Sequence, residues 1–182
     1  LGGRPFFTIG HSNRTFEAFA RLLTANAVEV LVDVRAFPRS RTNPQFNAEV
    51  LPSALVADAV AYERIPALGG LRGRSETTDA HLNDAWRNAS FRRYADYALT
   101  PAFHEGLREL LRLGEARTCA IMCAEAVWWR CHRRIVADYL IAAGREVFHI
   151  MGPGQTVEAR LTPDAQVQPD GRILYPQPET QT

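Results

Sequence analysis

Residues 123 to 134 read CAEAVWWRCHRR, bringing two cysteines, a glutamate, a histidine and three arginines between an apolar run and a helical pattern. Three chemistries use such a mixture. Cys123, Cys131 and His132 are zinc-ligand types, but seven residues separate the cysteines and no C-x-x-C pair exists, so no metal is expected. Cys123, at a strand end ahead of a helix, suits a thiolate nucleophile stabilised by the helix dipole, or else inert apolar packing. Arg130, Arg133 and the amides of the helix that begins near Cys131 could instead cradle a phosphate, with Glu125 and His132 as acid/base groups. A carboxylate in an anion pocket must itself be neutralised, which predicts that Glu125 pairs with Arg35 or Arg133. Trp128 and Trp129 would stack on a base or sugar, cover the rim, or make a dimer contact.

Such residues act only if a scaffold gathers them. Apolar runs at 5–10 (PFFTIG), 28–34 (VEVLVDV), 118–123 (TCAIMC) and 146–151 (EVFHIM) read as strands, and 61–66 (AYERIP) as a further strand feeding the glycine-rich turn LGGLRGR. Helical spacing follows at 15–27 behind a Thr15 cap, at 90–99 behind a Ser90 cap, at 100–114 with Thr100 as cap, Pro101 in the first turn and Gly114 as stop, and at 132–144 closed by Gly144. Residues 47–59 look helical, with Pro52 blurring the boundary, and 77–88 carry no clear pattern. Strands alternating with helices predict a three-layer, doubly wound α/β fold: a mostly parallel sheet of about five strands with helices on both faces. Residues 1–152 form a single domain in this reading, and 153–182 an extension that packs on it, adds a hairpin around RILYP, or is partly flexible.

Parallel sheets place their ligands beyond the carboxyl ends of the strands. The loops there hold His11 and Ser12, then Asp33, Arg35, Arg39 and Ser40, then Gly69, Gly70 and Arg72, then Cys123, Glu125, Cys131, His132 and Arg133, and last GPG at 152–154. Asp33 and Arg35, two apart on an extended strand, share a side and either pair with each other or serve a ligand. Glycines at 69, 70 and 73 let a loop backbone approach closely. Ser12 and Asn13 before a helix read as a cap or as anion donors.

Composition narrows the classes. A chain of 182 residues that is 46% apolar buries one sizeable core. No stretch is apolar for long enough to span a membrane, and RPFFTIG is too short for a secretory segment, so a cytoplasmic protein is expected. Three cysteines within thirteen residues are no disulfide framework and fit a reducing compartment. A net charge of +1 argues against global attraction to nucleic acid, although every one of the 21 basic residues is arginine.

Taken together, TIGHS, DVRAFPRS, LGG, IMCAE, CHRRIVADYL and GREVFHI, spanning about Phe7 to Ile150, resemble the family catalogued as Domain of Unknown Function 488. The resemblance implies a bacterial or archaeal α/β domain without an agreed activity. It also implies that His11, Ser12, Asp33, Arg35, Pro38, Ser40, Gly69, Gly70, Cys123, Glu125, Cys131, His132 and Arg133 sit at motif positions. The Trp128–Trp129 pair departs from the shorter, polar loop of that family. A fainter similarity is to rhodanese-like domains, through Asp33, Arg35, Cys123 and LIAAGREVFHI; the loop AEAVWW, acidic, bulky and glycine-free, departs from the short active loop expected there.

The functional expectation is a phosphate-bearing ligand, a nucleotide or a nucleic-acid end, held by Arg35, Arg39, Arg72 and Arg133, with Ser12 contributing hydrogen bonds. Glu125 and His132 are then the acid/base candidates, and no cofactor is called for. A thiol-dependent transferase or redox protein centred on Cys123 is the alternative, and a non-catalytic adaptor for protein or nucleic acid a third.

Overall fold

The protein is described by a computed structural model over residues 3–179. Strand β1 (Phe6–Gly10) leads to helix α1 (Phe16–Ala25), whose first turn is capped by Thr15 accepting the Ala18 N–H. After β2 (Val30–Asp33) comes a long loop and a short helix α2 (Leu51–Ala54) with Pro52 in its first turn, the one place a residue without an N–H is tolerated. A 3-10 turn follows and ends at Ala59, whose φ is 54°. The helical pattern over 47–59 is therefore realised as two short turns. Next come β3 (Ala61–Arg64), α3 (Ala89–Tyr97), α4 (Pro101–Ala116), β4 (Cys119–Cys123), α5 (Arg133–Ala142) and β5 (Val147–Gly152).

Two helix boundaries differ from the sequence reading. Asn88, not Ser90, caps α3, because its Oδ1 accepts the N–H groups of Ser90 and Phe91. Gly114 does not stop α4, which runs to Ala116; a Cβ at Gly114 would lie 2.1 Å from Phe6 Cζ, so the glycine makes room for that ring. Thr100 does cap α4, accepting the Phe103 N–H at 3.4 Å. Thr100→Ala is expected to lower the stability by about 1 kcal/mol, read as an earlier urea midpoint at unchanged slope.

The sheet runs β3-β2-β4-β1-β5 in parallel, and β6 (Gln155–Glu158) adds an antiparallel edge beside β5. Alternate strand residues feed two apolar clusters. Phe6, Val30, Val32, Val34 and Ile121 meet Tyr94, Phe103, Leu110, Ile135 and Leu140 from α3, α4 and α5. Phe7, Ile9, Leu31 and Met122 meet Phe19, Leu23, Leu51 and Leu55 from the α1 and α2 side. The inner strands are thus covered on both faces, which is why they read as nearly continuous apolar runs, whereas the edge strand β3 is half exposed.

Beyond β6, the pair β7 (Gln166–Val167) and β8 (Ile173–Leu174) forms a hairpin with Gly171 in its turn. Ile173 and Tyr175 enter the first cluster, and the Tyr175 hydroxyl donates to Asp138 at 2.8 Å. Among the described residues no helix is long and apolar enough to cross a membrane.

Strand β1 lies between β4 and β5, so the loop after β1 is a direct neighbour of the cysteine loop after β4. His11 N–H donates to the Cys123 carbonyl at 3.0 Å and Ser12 N–H to the Ala124 carbonyl at 3.1 Å. Gly10 permits this approach: a Cβ there would overlap the Glu125 carbonyl oxygen at 1.8 Å.

Candidate functional site

Cys123 ends β4 and Cys131 precedes α5, and the two side chains face each other with their sulfurs 2.7 Å apart. Both thiols are free and buried. They sit in an open cavity of about 430 Å³, whose lining includes His132, Glu125, Arg130, Gly70 and the apolar side chains of Phe37, Leu71, Phe91 and Tyr94.

Their neighbours decide the proton inventory. His132 Nε2 must donate to the Val34 carbonyl at 2.8 Å, because a carbonyl only accepts. In the neutral ring that leaves Nδ1 as a lone pair, 3.4 Å from Cys131 Sγ, placed to take its proton. Arg133 donates through Nε to Cys123 Sγ at 3.0 Å, and its backbone N–H points to Cys131 Sγ at 3.4 Å. Burial alone would raise the Cys131 thiol, but the hydrogen bond shared with Cys123, the His132 ring and the Arg133 charge reverse this and hold it well below the ordinary thiol value. Burial, the same shared bond and the charge at Cys131 push Cys123 well above it. The pair thus gives up one proton readily and holds the second. Cys119, apart from the pair, is pushed up to about 11, chiefly by burial.

Arg133 is 1% exposed and acts as an internal strut. Besides Cys123 it donates to Thr8 Oγ1 at 3.1 Å and to the Glu125 carbonyl at 2.8 Å. Thr8 in turn bonds His149 Nδ1 at 2.6 Å, and the His149 ring stacks on Trp128 with centroids 4.4 Å apart. Trp128 is therefore packing, whereas Trp129 is largely exposed.

Arg35 is equally committed. It grips Asp33 through Nε at 2.9 Å and Nη2 at 2.7 Å, donates to the Phe46 carbonyl at 2.7 Å, and faces His11 Nε2 at 3.3 Å. Tyr62 donates to Asp33 Oδ2 at 2.5 Å, the oxygen that Arg35 Nη2 also contacts, and burial followed by that carboxylate raises the Tyr62 hydroxyl above its usual range. His11 Nδ1 donates to the Ser12 carbonyl at 2.8 Å, and burial lowers the pKa of the ring.

The expected pairing of Glu125 does not form. Its side chain is exposed, and Arg133 meets its backbone carbonyl, not its carboxylate. Both candidate partners are withdrawn from it, Arg35 by Asp33 and Arg133 by the sulfurs and Thr8. Arg39 pairs with Glu49 at 2.6 Å. Arg72 donates to the Gly69 and Pro66 carbonyls and lies over the Tyr97 ring at 3.7 Å. Arg35, Arg39, Arg72 and Arg133 thus each already have partners within the chain, whereas the Arg130 side chain is exposed.

The sequence-derived residues divide between two adjoining cavities. Cys123, Glu125, Cys131, His132, Gly70 and Arg35 line the first. His11, Ser12, Arg35, Arg39 and Ser40 line a second of about 440 Å³, which shares Arg35, Phe37 and Ala124 with the first. Asp33, Gly69, Arg72 and Arg133 line neither and support the walls from behind. The loop at Gly152–Gly154 turns directly into β6 and lies outside both. Gly70 is where the third loop meets the site, since a Cβ there would come within 2.9 Å of His132 Nδ1. Tyr94 fixes that loop by donating to the Leu68 carbonyl at 2.7 Å.

Sequence reasoning missed Tyr62, Tyr94, Thr8 and His149. The last two had a signal, each being a polar residue inside an otherwise apolar central strand, where an unpaired group is costly. Among the described residues no group of three or more His, Cys, Asp and Glu side chains is arranged to hold a metal ion.

The family model described as Domain of unknown function DUF488 matches residues 15–140. That span takes in DVRAFPRS, LGG, IMCAE and CHRRIVADYL and leaves TIGHS and GREVFHI outside it. No curated protein and no solved structure matches the chain.

Proposed function

The chain belongs to the family described as Domain of unknown function DUF488, and from the chemistry of its site we propose that it is a thiol-dependent redox protein working through the Cys131–Cys123 pair. The carrying observation is the two sulfurs at 2.7 Å on the floor of an open cavity, with a histidine lone pair on one and a guanidinium on the other. A sulfur–sulfur bond is about 2.05 Å long, so a small side-chain shift suffices to close it.

The reaction that fits is exchange with a small disulfide, R–S–S–R. His132 takes the Cys131 proton, and the thiolate attacks one substrate sulfur, breaking the S–S bond and expelling RS⁻, which recovers the proton from His132 as RSH. Cys123 then loses its proton to the second leaving sulfur as it attacks Cys131 in the mixed disulfide. Two RSH leave, and a Cys123–Cys131 disulfide remains for an external thiol reductant to open. Arg133 stabilises whichever sulfur carries charge, and the cavity size suits a small molecule better than a protein disulfide.

Iodoacetamide labelling of the full chain across pH, with peptide mapping, tests this. Cys131 is expected to react first and to titrate below an ordinary thiol, with Cys119 unreactive. Treatment with a small disulfide is expected to remove two hydrogens from the protein and link Cys123 to Cys131. In Cys123→Ser the mixed disulfide on Cys131 should persist instead. An ordinary titration together with no internal disulfide would reject the proposal.

A further inference from the structure

The second cavity gives the substrate a second requirement. Its charged lining residues are Arg35 and Arg39, while the carboxylates that pair with them, Asp33 and Glu49, are not part of its wall. Around them stand hydrogen-bonding side chains, among them Ser12, Asn13 and Asn43. A group entering this space meets guanidinium and neutral polar atoms without meeting a carboxylate. The first cavity is different: Glu125 brings a carboxylate to a wall that also holds Arg35 and Arg130, and Phe37, Leu71, Phe91 and Tyr94 supply apolar walls.

The two spaces are neighbours by construction. Arg35, Phe37 and Ala124 line both, and Phe37 is 73% exposed between them. The loop carrying His11 and Ser12 is bonded to the backbone of Cys123 and Ala124. Ser12 is held at a φ of 48°, a left-handed conformation uncommon outside glycine, in which its N–H still reaches the Ala124 carbonyl. Ser40 is fixed by its N–H to Asn47 Oδ1 at 2.7 Å and by its Oγ accepting the Asn43 N–H at 3.0 Å. The His11–Ser12 side of the polar wall is therefore bonded directly to the end of the strand that presents Cys123, and the Ser40 side is held by its own loop.

We propose that the substrate of the thiol pair is a small amphipathic molecule that lays an apolar, thiol-reactive end in the first cavity and an oxyanion, phosphate or carboxylate, against Arg39 and Arg35 in the second. This rests on the thiol reading above and adds to it what the substrate must carry. Phosphate recognition then belongs to substrate selection, with Arg39 donating to the oxyanion while Glu49 keeps its guanidinium in place.

The test compares Cys131 labelling by four bromoacetamides that share one phenyl spacer and end in no charge, a carboxylate, a phosphate or an ammonium group. The anionic reagents are expected to react about tenfold faster than the uncharged one, the scale of one charge-assisted hydrogen bond, and the ammonium reagent more slowly. The ranking of carboxylate against phosphate identifies the oxyanion. Arg39→Gln is expected to bring the ratio of anionic to uncharged rates close to one. Arg41→Gln, which removes the same charge from an exposed residue outside the cavity wall, should retain the preference. Equal rates for all four reagents, or equal effects of the two substitutions, would overturn the proposal while leaving the thiol chemistry intact. Failure of the thiol reading is a separate signal: the uncharged reagent would then leave Cys131 unlabelled, and the substrate proposal would fall with it.

Discussion

Asp33→Ala is expected to destabilise the protein by about 3–5 kcal/mol, a large share of a domain's total stability. The Asp33 carboxylate is fully buried and accepts from Arg35 N, Nε and Nη2 and from the Tyr62 hydroxyl. Alanine would leave the Arg35 guanidinium 4% exposed, still charged, with the Phe46 carbonyl and the His11 ring as its partners. An uncompensated buried charge, not the lost attraction alone, sets the cost. The double variant Asp33→Ala/Arg35→Met removes that charge and should be more stable than Asp33→Ala, although it has one more substitution. Urea unfolding of the two single variants and the double variant measures this coupling. A single-variant loss under about 1 kcal/mol would mean that the site admits water readily and that the pair is not the support it is taken to be.

The same ion pair marks how far the sequence could be read. The inner parallel strands are legible as nearly continuous apolar runs, because a strand covered on both faces buries almost every side chain, whereas the edge strand AYER, half exposed, is legible only through the glycine-rich turn that follows it. Convergence at the carboxyl ends of the strands follows from alternation with helices, and it puts Cys123, Gly70 and Arg35 on one cavity wall. What alternation does not supply is strand order. Nothing local in TCAIMC says that it lies between VLVD and FFTIG, yet that placement sets the Cys123 backbone beside His11. Nor does an arginine's type declare its use. Arg35 and Arg133 carry the guanidinium suited to phosphate, but Arg133 is spent inside on sulfur and hydroxyl and Arg35 mostly on a carboxylate, with only part of it reaching the cavity wall that Arg39 also lines. Side-chain destination depends on contacts across 24 residues for His11 and Arg35 and 125 for Thr8 and Arg133, and no window along the chain contains those pairs. The cysteines are the intermediate case. Their positions point to a strand end and a helix start, but only the turn through Trp128–Arg130 brings the sulfurs together, making a pair of what reads as a single candidate at Cys123.

Acid is expected to remove about 3 kcal/mol of stability between about pH 6.5 and pH 4 through His149 alone. Burial and then the Arg133 charge lower its pKa from 6.5 to about 4. Above 6.5 the ring is neutral in both the folded and unfolded chain, and its contribution is fully present. As pH falls through this window the unfolded chain takes a proton that the folded chain refuses, so the contribution drains away and levels off below about 4. The refusal has a structural cause. His149 is buried against Trp128, and its Nδ1 lies 2.6 Å from Thr8 Oγ1, which also accepts from Arg133. Protonation would bury a charge there and place a second cation near the guanidinium. His149→Phe keeps a ring on Trp128 and abolishes the titration, at the cost of the Thr8 bond. Its stability difference between about pH 7 and about pH 4.5 should therefore be smaller than that of the wild type, with His11 and His104, whose pKa values are also lowered chiefly by burial, among the groups that contribute the remainder. Because Arg133 joins this buried chain to Cys123, the variant also reports on the thiols. A loosened guanidinium should raise the pH at which Cys131 is labelled, whereas equal acid sensitivity and an unchanged labelling profile would disconnect His149 from both stability and the site.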